Sequence, residues 1–288
     1  MSENDSQKEE NKSGNQKFLI GLARAFGGAI LFSFSILMTM EMWRLGFYID
    51  KFRLALFITA FMPMLFGLAY FDGFEDTNSL TEDAIDTFVA YTVGFVASAL
   101  ILFAFNIINF QMPFDEIIGK ISIQAITAAV GALVAQSQLG GKSGDSESED
   151  KDENEKSPRS YFGEILLMII GIIFLTMSIA PTEEMILIAF RMTYWHAFAL
   201  AIGTLIMMHA VVYVVKFRGQ EKTPENVSFI SIFARYTIVG YAVVLLVCLY
   251  LLWTFGRTSG MSWEEIAKVT IVLGFPGALG ASGSRLIL

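Results

Sequence analysis

Three features of the sequence predict an all-α, polytopic membrane protein with eight transmembrane helices arranged as two parallel four-helix repeats. The 288 residues are 54% hydrophobic and only 17% charged, against roughly a quarter charged in soluble domains. Apolar runs long enough to cross a bilayer recur eight times. Short motifs also recur in the same order in the two halves of the chain, as duplication would leave them.

Taken in order, residues 1–17 are polar and mixed in charge and lack the n-region, h-region and cleavage site of a signal peptide, so the reading is a disordered, retained N-terminus. The first half, 18–139, holds runs at about 18–47, 52–71, 85–110 and 117–138. The second, 159–288, holds runs at about 160–190, 192–216, 229–256 and 264–288. About 20 apolar residues span a bilayer core, so the first run of each half is overlong and is expected to carry polar groups near one end. Ser79 with Glu82, and Ser262 with Glu265, read as capping boxes that start helices, and Pro113 stands where a helix start tolerates proline. Between the halves, residues 140–158 are rich in Gly, Ser and acids and cannot bury enough apolar surface to fold. That segment reads as a disordered acidic linker.

The recurrences are Thr39-Met40-Glu41-Met42 with Thr182-Glu183-Glu184-Met185, Tyr91-Thr92 with Tyr236-Thr237, and Asp115-Glu116-Ile117 with Glu264-Glu265-Ile266. Gly131-Ala132-Leu133 recurs as Gly277-Ala278-Leu279. Four helices per repeat give both repeats one orientation, so the expected symmetry axis runs along the membrane normal. Eight spans put both termini and the linker on one side. That side carries more Lys and Arg in its connections, which predicts cytoplasmic termini.

Composition narrows the chemistry. A single cysteine, Cys248, excludes an intramolecular disulfide framework and a Cys-based metal site, and the two histidines, His196 and His209, do not make a cluster. They read as an interfacial and a core residue. A formal net charge of −8 with no basic stripe argues against nucleic acid. No cofactor fingerprint or Walker loop is present.

Glu41 lies about six residues before the end of the first run, or roughly 9 Å below it at 1.5 Å per residue. An ionisable group at that depth is costly and usually faces a bundle interior or a water-filled route. Its counterpart is Glu184, with Glu183 adjacent. Two such carboxylates, related by a twofold axis, would share a cation or a proton. Glu183 and the hydroxyls of Thr39 and Thr182 would serve as auxiliary ligands, with Arg44 and Arg191 as charge partners. Oxygen ligands without His or Cys suit protons or hard cations. The plainer reading sets the acids at headgroup level, with Glu41 paired to Arg44 at i+3. Pro181 ends a helix or opens a discontinuous one in the second half, where the first half has no equivalent proline. Asp115, Glu116, Glu264 and Glu265 read as first-turn caps. Gly-Ala-Ser-Gly around Ser282 matches a rhomboid-type serine motif with the histidines in the wrong order, and helix packing explains it better.

Met-Glu-Met-Trp-Arg at 40–44, Ala-Pro-Thr-Glu-Glu-Met at 180–185 and the closing Gly-Ala-Leu-Gly-Ala at 277–281 together resemble a family of bacterial integral membrane proteins of unknown function. The resemblance implies a multi-pass protein of the bacterial inner membrane and carries no activity. The expected function is a non-enzymatic cation or proton transporter or channel, with the bilayer as partner and a homo-oligomer as one possible assembly. The alternatives are a membrane scaffold or regulatory subunit and, more remotely, an intramembrane hydrolase.

Overall fold

The computed structural model describes residues 3–37, 39–72, 80–139, 161–214 and 237–287. The linker 140–158, Ser79 and Arg235 lie outside the described residues. Among those described, ten helices follow one another: α1 Glu3–Leu37, α2 Met40–Tyr48, α3 Lys51–Asp72, α4 Leu80–Ala104, α5 Phe114–Leu139, α6 Tyr161–Thr176, α7 Glu183–Arg191, α8 Tyr194–Val214, α9 Val239–Thr254 and α10 Trp263–Ile287. Five, α3, α4, α5, α8 and α10, are long and apolar enough to cross a membrane, and shorter apolar helical stretches lie at 19–34, 161–176 and 239–254. Large apolar side chains such as Phe88, Leu100, Phe198, Ile206 and Leu246 are exposed on the flanks of these helices, a surface suited to lipid.

Two expectations are corrected. Residues 3–17 continue α1 rather than standing apart as coil. Their Glu, Lys and Gln residues are good helix formers, and extending an existing helix avoids the cost of nucleation. Both overlong runs are broken, so that ten helices stand among the described residues. The first run stops at Leu37 and resumes at Met40, so Glu41 sits in the first turn of a nine-residue helix rather than deep inside a continuous one. Here no proline or glycine makes the break. The Thr39 hydroxyl donates to the Ile36 carbonyl at 2.9 Å and the Trp43 indole N–H to the Leu37 carbonyl at 2.7 Å. These bonds satisfy orphan carbonyls at the α1 C-terminus. In the second half, α6 ends at Thr176 and turns through residues 177–181 before α7 starts. The Thr182 hydroxyl repeats the Thr39 bond, donating to Ile179 at 2.7 Å. α2 and α7 are both nine residues long and both follow an extended threonine.

The buried centre of the first half is α5, whose residues from Gly119 to Ala135 are all buried. α1 crosses it where Gly28 meets Gly131, so closely that a Cβ on either glycine would collide with the other's carbonyl. Gly171 and Gly280 make the same reciprocal contact between α6 and α10. The glycine in the place of Gly131 is therefore Gly280 rather than Gly277. The halves meet through α3: Phe57 packs edge-on against Phe255 at 5.9 Å, and Leu166 lies over Gly67, while Phe32 of α1 meets Phe174 at 4.5 Å.

Several contacts gather one set of connections at a single end of the bundle. Lys51 pairs with Asp115 at 3.6 Å, Arg53 donates to the Trp253 carbonyl at 2.7 Å, and Arg257 donates to the Pro181 carbonyl. The capping box before α10 forms as read, with Glu265 Oε2 accepting from the Ser262 amide at 2.7 Å and from its hydroxyl at 2.9 Å.

Candidate functional site

A cavity of about 540 Å³ opens at that end of the bundle, between the halves. One wall is a single stripe of α2, Met40, Glu41, Arg44 and Tyr48, at the i, i+1, i+4, i+8 spacing of one helix face. Asp50 and Arg53, from the start of α3, continue it. The opposite wall is Glu183, the first residue of α7, and the segment Thr254–Arg257 with Ser259 after α9.

The end of α9 explains how Arg257 reaches this wall. Gly256 takes the left-handed conformation at φ 73°. Its amide bonds the Trp253 carbonyl at 3.1 Å, and the Arg257 amide reaches back to Leu252 at 2.8 Å. That pair of bonds is the Schellman ending of a helix. It throws Arg257 across to the Pro181 carbonyl, where its Nη2 donates; its Nε is buried without a partner. Arg53 is tied as well, bonding the Trp253 carbonyl and stacking its guanidinium 4.9 Å from the Trp253 ring. Asp50 caps α3 by accepting from the Arg53 amide at 3.0 Å.

Three groups in the cavity have no such commitment. Glu41, Glu183 and Arg44 make no hydrogen bond or ion pair with any described residue. The i+3 pairing of Glu41 with Arg44 is absent. The structure thus brings together Glu41, Glu183 and Arg44 of the expected site. Glu184 and Arg191 are exposed on α7 and do not line the cavity. Thr39 and Thr182 do not line it either, because their hydroxyls are spent on the helix breaks. Asp50, Arg53 and Arg257 were missed as site residues. In sequence they are charges in connections, and only the glycine before Arg257 hints at a shaped helix ending.

A second polar feature lies inside α5. Lys120, 7% exposed, pairs with Glu116 at 2.7 Å and also donates to the Ile107 carbonyl at 3.3 Å. Glu116 is thereby an ion-pair partner rather than a cap alone. One turn on, Gln124 is 3% exposed and its Nε2 has no partner, beside a void of about 10 Å³ lined also by Trp43 and Lys120. That volume holds about one water molecule. α2 separates the two features, facing the cavity with Glu41 and Arg44 and the void with Met42 and Trp43.

The remaining candidates have local roles. His196 bonds Thr193 at 2.7 Å and His209 bonds Thr237 at 3.0 Å. The Ser282 hydroxyl is buried with no partner, so neither histidine is within reach to activate it. Among the described residues no three His, Cys, Asp or Glu side chains gather as a metal cage.

A family model described as "Putative integral membrane protein (DUF2391)" matches residues 21–288. No curated protein and no solved structure matches the chain.

Proposed function

The chain belongs to this family of integral membrane proteins, and from that premise we propose that it is a transporter or channel handling a cation or a proton. The cavity is its site on one membrane face, and Glu41 and Glu183 are its carboxylates. One observation carries the reading: an acid from each half of the chain lines the same cavity, and neither has a basic partner within 4.0 Å although three arginines share the space. Ionisable groups within a membrane-spanning bundle mark ion or proton routes.

In this reading the two halves are parallel repeats, and the matched breaks before α2 and α7 present one acid each to a shared site. Arg44, one turn from Glu41, competes with the cation for that carboxylate and helps release it. The termini face the cytoplasm of a bacterial inner membrane, and the cavity faces the opposite side. The test is proton and cation flux into liposomes, wild type beside the Glu41→Gln, Glu183→Gln double variant. Flux in the wild type and none in the variant is expected. Equal flux in both removes the proposal.

A further inference from the structure

Each wall of the cavity carries both signs, Glu41, Arg44, Asp50 and Arg53 on one and Glu183 with Arg257 on the other, and none of the six lies within 4.0 Å of an opposite charge. The lining is formally neutral, so the cavity as a whole attracts a lone ion of either sign weakly. Its volume of about 540 Å³ falls in the small-molecule range of roughly 300–1,000 Å³ and far exceeds the space of one ion. Its three acids are also too few to dehydrate a hard divalent cation, which takes six or more oxygens, and among the described residues they do not gather as a metal cage.

What fits a neutral lining with separated charges is a ligand that carries both. We propose that the cavity binds a zwitterion, with its ammonium between Glu41 and Glu183 and its carboxylate or phosphate toward Arg44 and Arg257. The inference rests on the preceding reading only for the cavity as the binding site, and puts a zwitterion there in place of a lone cation. The groups that would bind are those with capacity left. Glu41, Glu183 and Arg44 bond to no described residue, and Arg257 keeps a buried Nε donor without an acceptor. An anionic group would take charge-assisted bonds from the Arg44 and Arg257 guanidinium groups that line the cavity, and planar guanidinium favours carboxylate and phosphate. The same chemistry is offered by a free solute and by a zwitterionic lipid headgroup. The cavity is flanked by short helices with exposed Phe47, Leu187 and Phe190, apolar side chains of the kind a short amphipathic helix buries at a membrane interface.

The experiment uses the full chain in nanodiscs of phosphatidylglycerol, and its readout is the thermal unfolding midpoint. Phosphorylethanolamine and γ-aminobutyrate are the zwitterionic probes; ethylamine, sodium and inorganic phosphate are the single-sign controls. A saturable rise with a zwitterion is expected, with the controls needing at least about tenfold higher concentrations. Arg44→Gln and Glu41→Gln should each raise the half-saturating concentration about tenfold, the worth of one charged hydrogen bond. Neither should lower the ligand-free midpoint, since neither side chain has a bond to lose. A rise that requires replacing the lipid with phosphatidylethanolamine, and that depends on Arg44, supports the chemistry and assigns the ligand to the headgroup. No shift in either lipid, or a shift that sodium or ethylamine reproduces without dependence on Arg44, overturns the proposal. Flux separates it from the preceding reading. Carboxylate-dependent cation flux without zwitterion binding overturns the zwitterion alone, whereas zwitterion binding without proton or cation flux supports it and removes cation and proton transport.

Discussion

The last helix of each half begins at the same end of the bundle, opens with a pair of acids and crosses the first helix of its half through a glycine pair, yet α5 and α10 have different interiors. α5 is enclosed over the whole stretch Gly119–Ala135 and carries Lys120, Ser122, Gln124 and Thr127 inside. α10 is buried along only part of its surface, and the residues 149 positions after Lys120 and Gln124 are Val269 and Leu273. Of its described polar side chains, α10 buries only the hydroxyls of Thr270, Ser282 and Ser284, so a buried charge and a buried amide occur where neighbours surround the helix and not where part of it faces outward. The lysines differ accordingly. Lys120 and Glu116 are both largely buried, while the Lys268–Glu264 pair at 2.9 Å leaves its glutamate half exposed, with Lys268 resting 4.4 Å from the Tyr194 ring.

The sharpest way to break this comparison is to remove one partner from each pair. Lys120→Met should cost about 3–5 kcal/mol, because it strands Glu116 and the Ile107 carbonyl away from water, whereas Lys268→Met should leave the unfolding midpoint nearly unchanged. Denaturant unfolding in detergent reads both, and equal effects would erase the distinction between the interiors. Next come the glycine crossings. Gly131→Leu and Gly280→Leu should each cost about 1–3 kcal/mol or prevent folding, and by similar amounts, because both crossings leave no room for a side chain. A tolerant Gly280 would show that the second crossing can open toward lipid.

The smallest effects belong to the helix endings. α4 ends like α9, with Asn106 at φ 55° where α9 has Gly256, its amide on Phe103 at 3.0 Å and the next amide on Leu102 at 2.9 Å. Gly256→Val should cost about 1–2 kcal/mol through left-handed strain. Asn106→Gly should be close to neutral, since asparagine visits that region readily. In the flux assay Gly256→Val should also lower activity, because it moves Arg257.

The sequence by itself settled what depends on composition and period. Eight apolar stretches, the polar segments between them and the Ser262–Glu265 cap could all be read, because each is a local property of hydrophobicity or of three-residue spacing. It also singled out Glu41 and Glu184 as the costly acids, with Glu183 only as their neighbour. It could not show the break after Leu37, which is made by Thr39 and Trp43 bonding back to carbonyls rather than by a proline or glycine. Nor could it choose Glu183 over Glu184, since one residue of helix turns a side chain by about 100° and only the tertiary structure sets which of the two exposed acids borders the cavity. The charges of Asp50, Arg53 and Arg257 are legible as residues and silent as a site. They converge because a Schellman ending and two arginine-to-carbonyl bonds fold three distant connections onto one end of the bundle. Burial works the same way. Lys120 reads as one more base near a helix end, and it becomes an interior charge only because the rest of the first half closes around α5. Local pattern determines which helices exist, and contacts between residues far apart in the chain determine which of their polar groups meet.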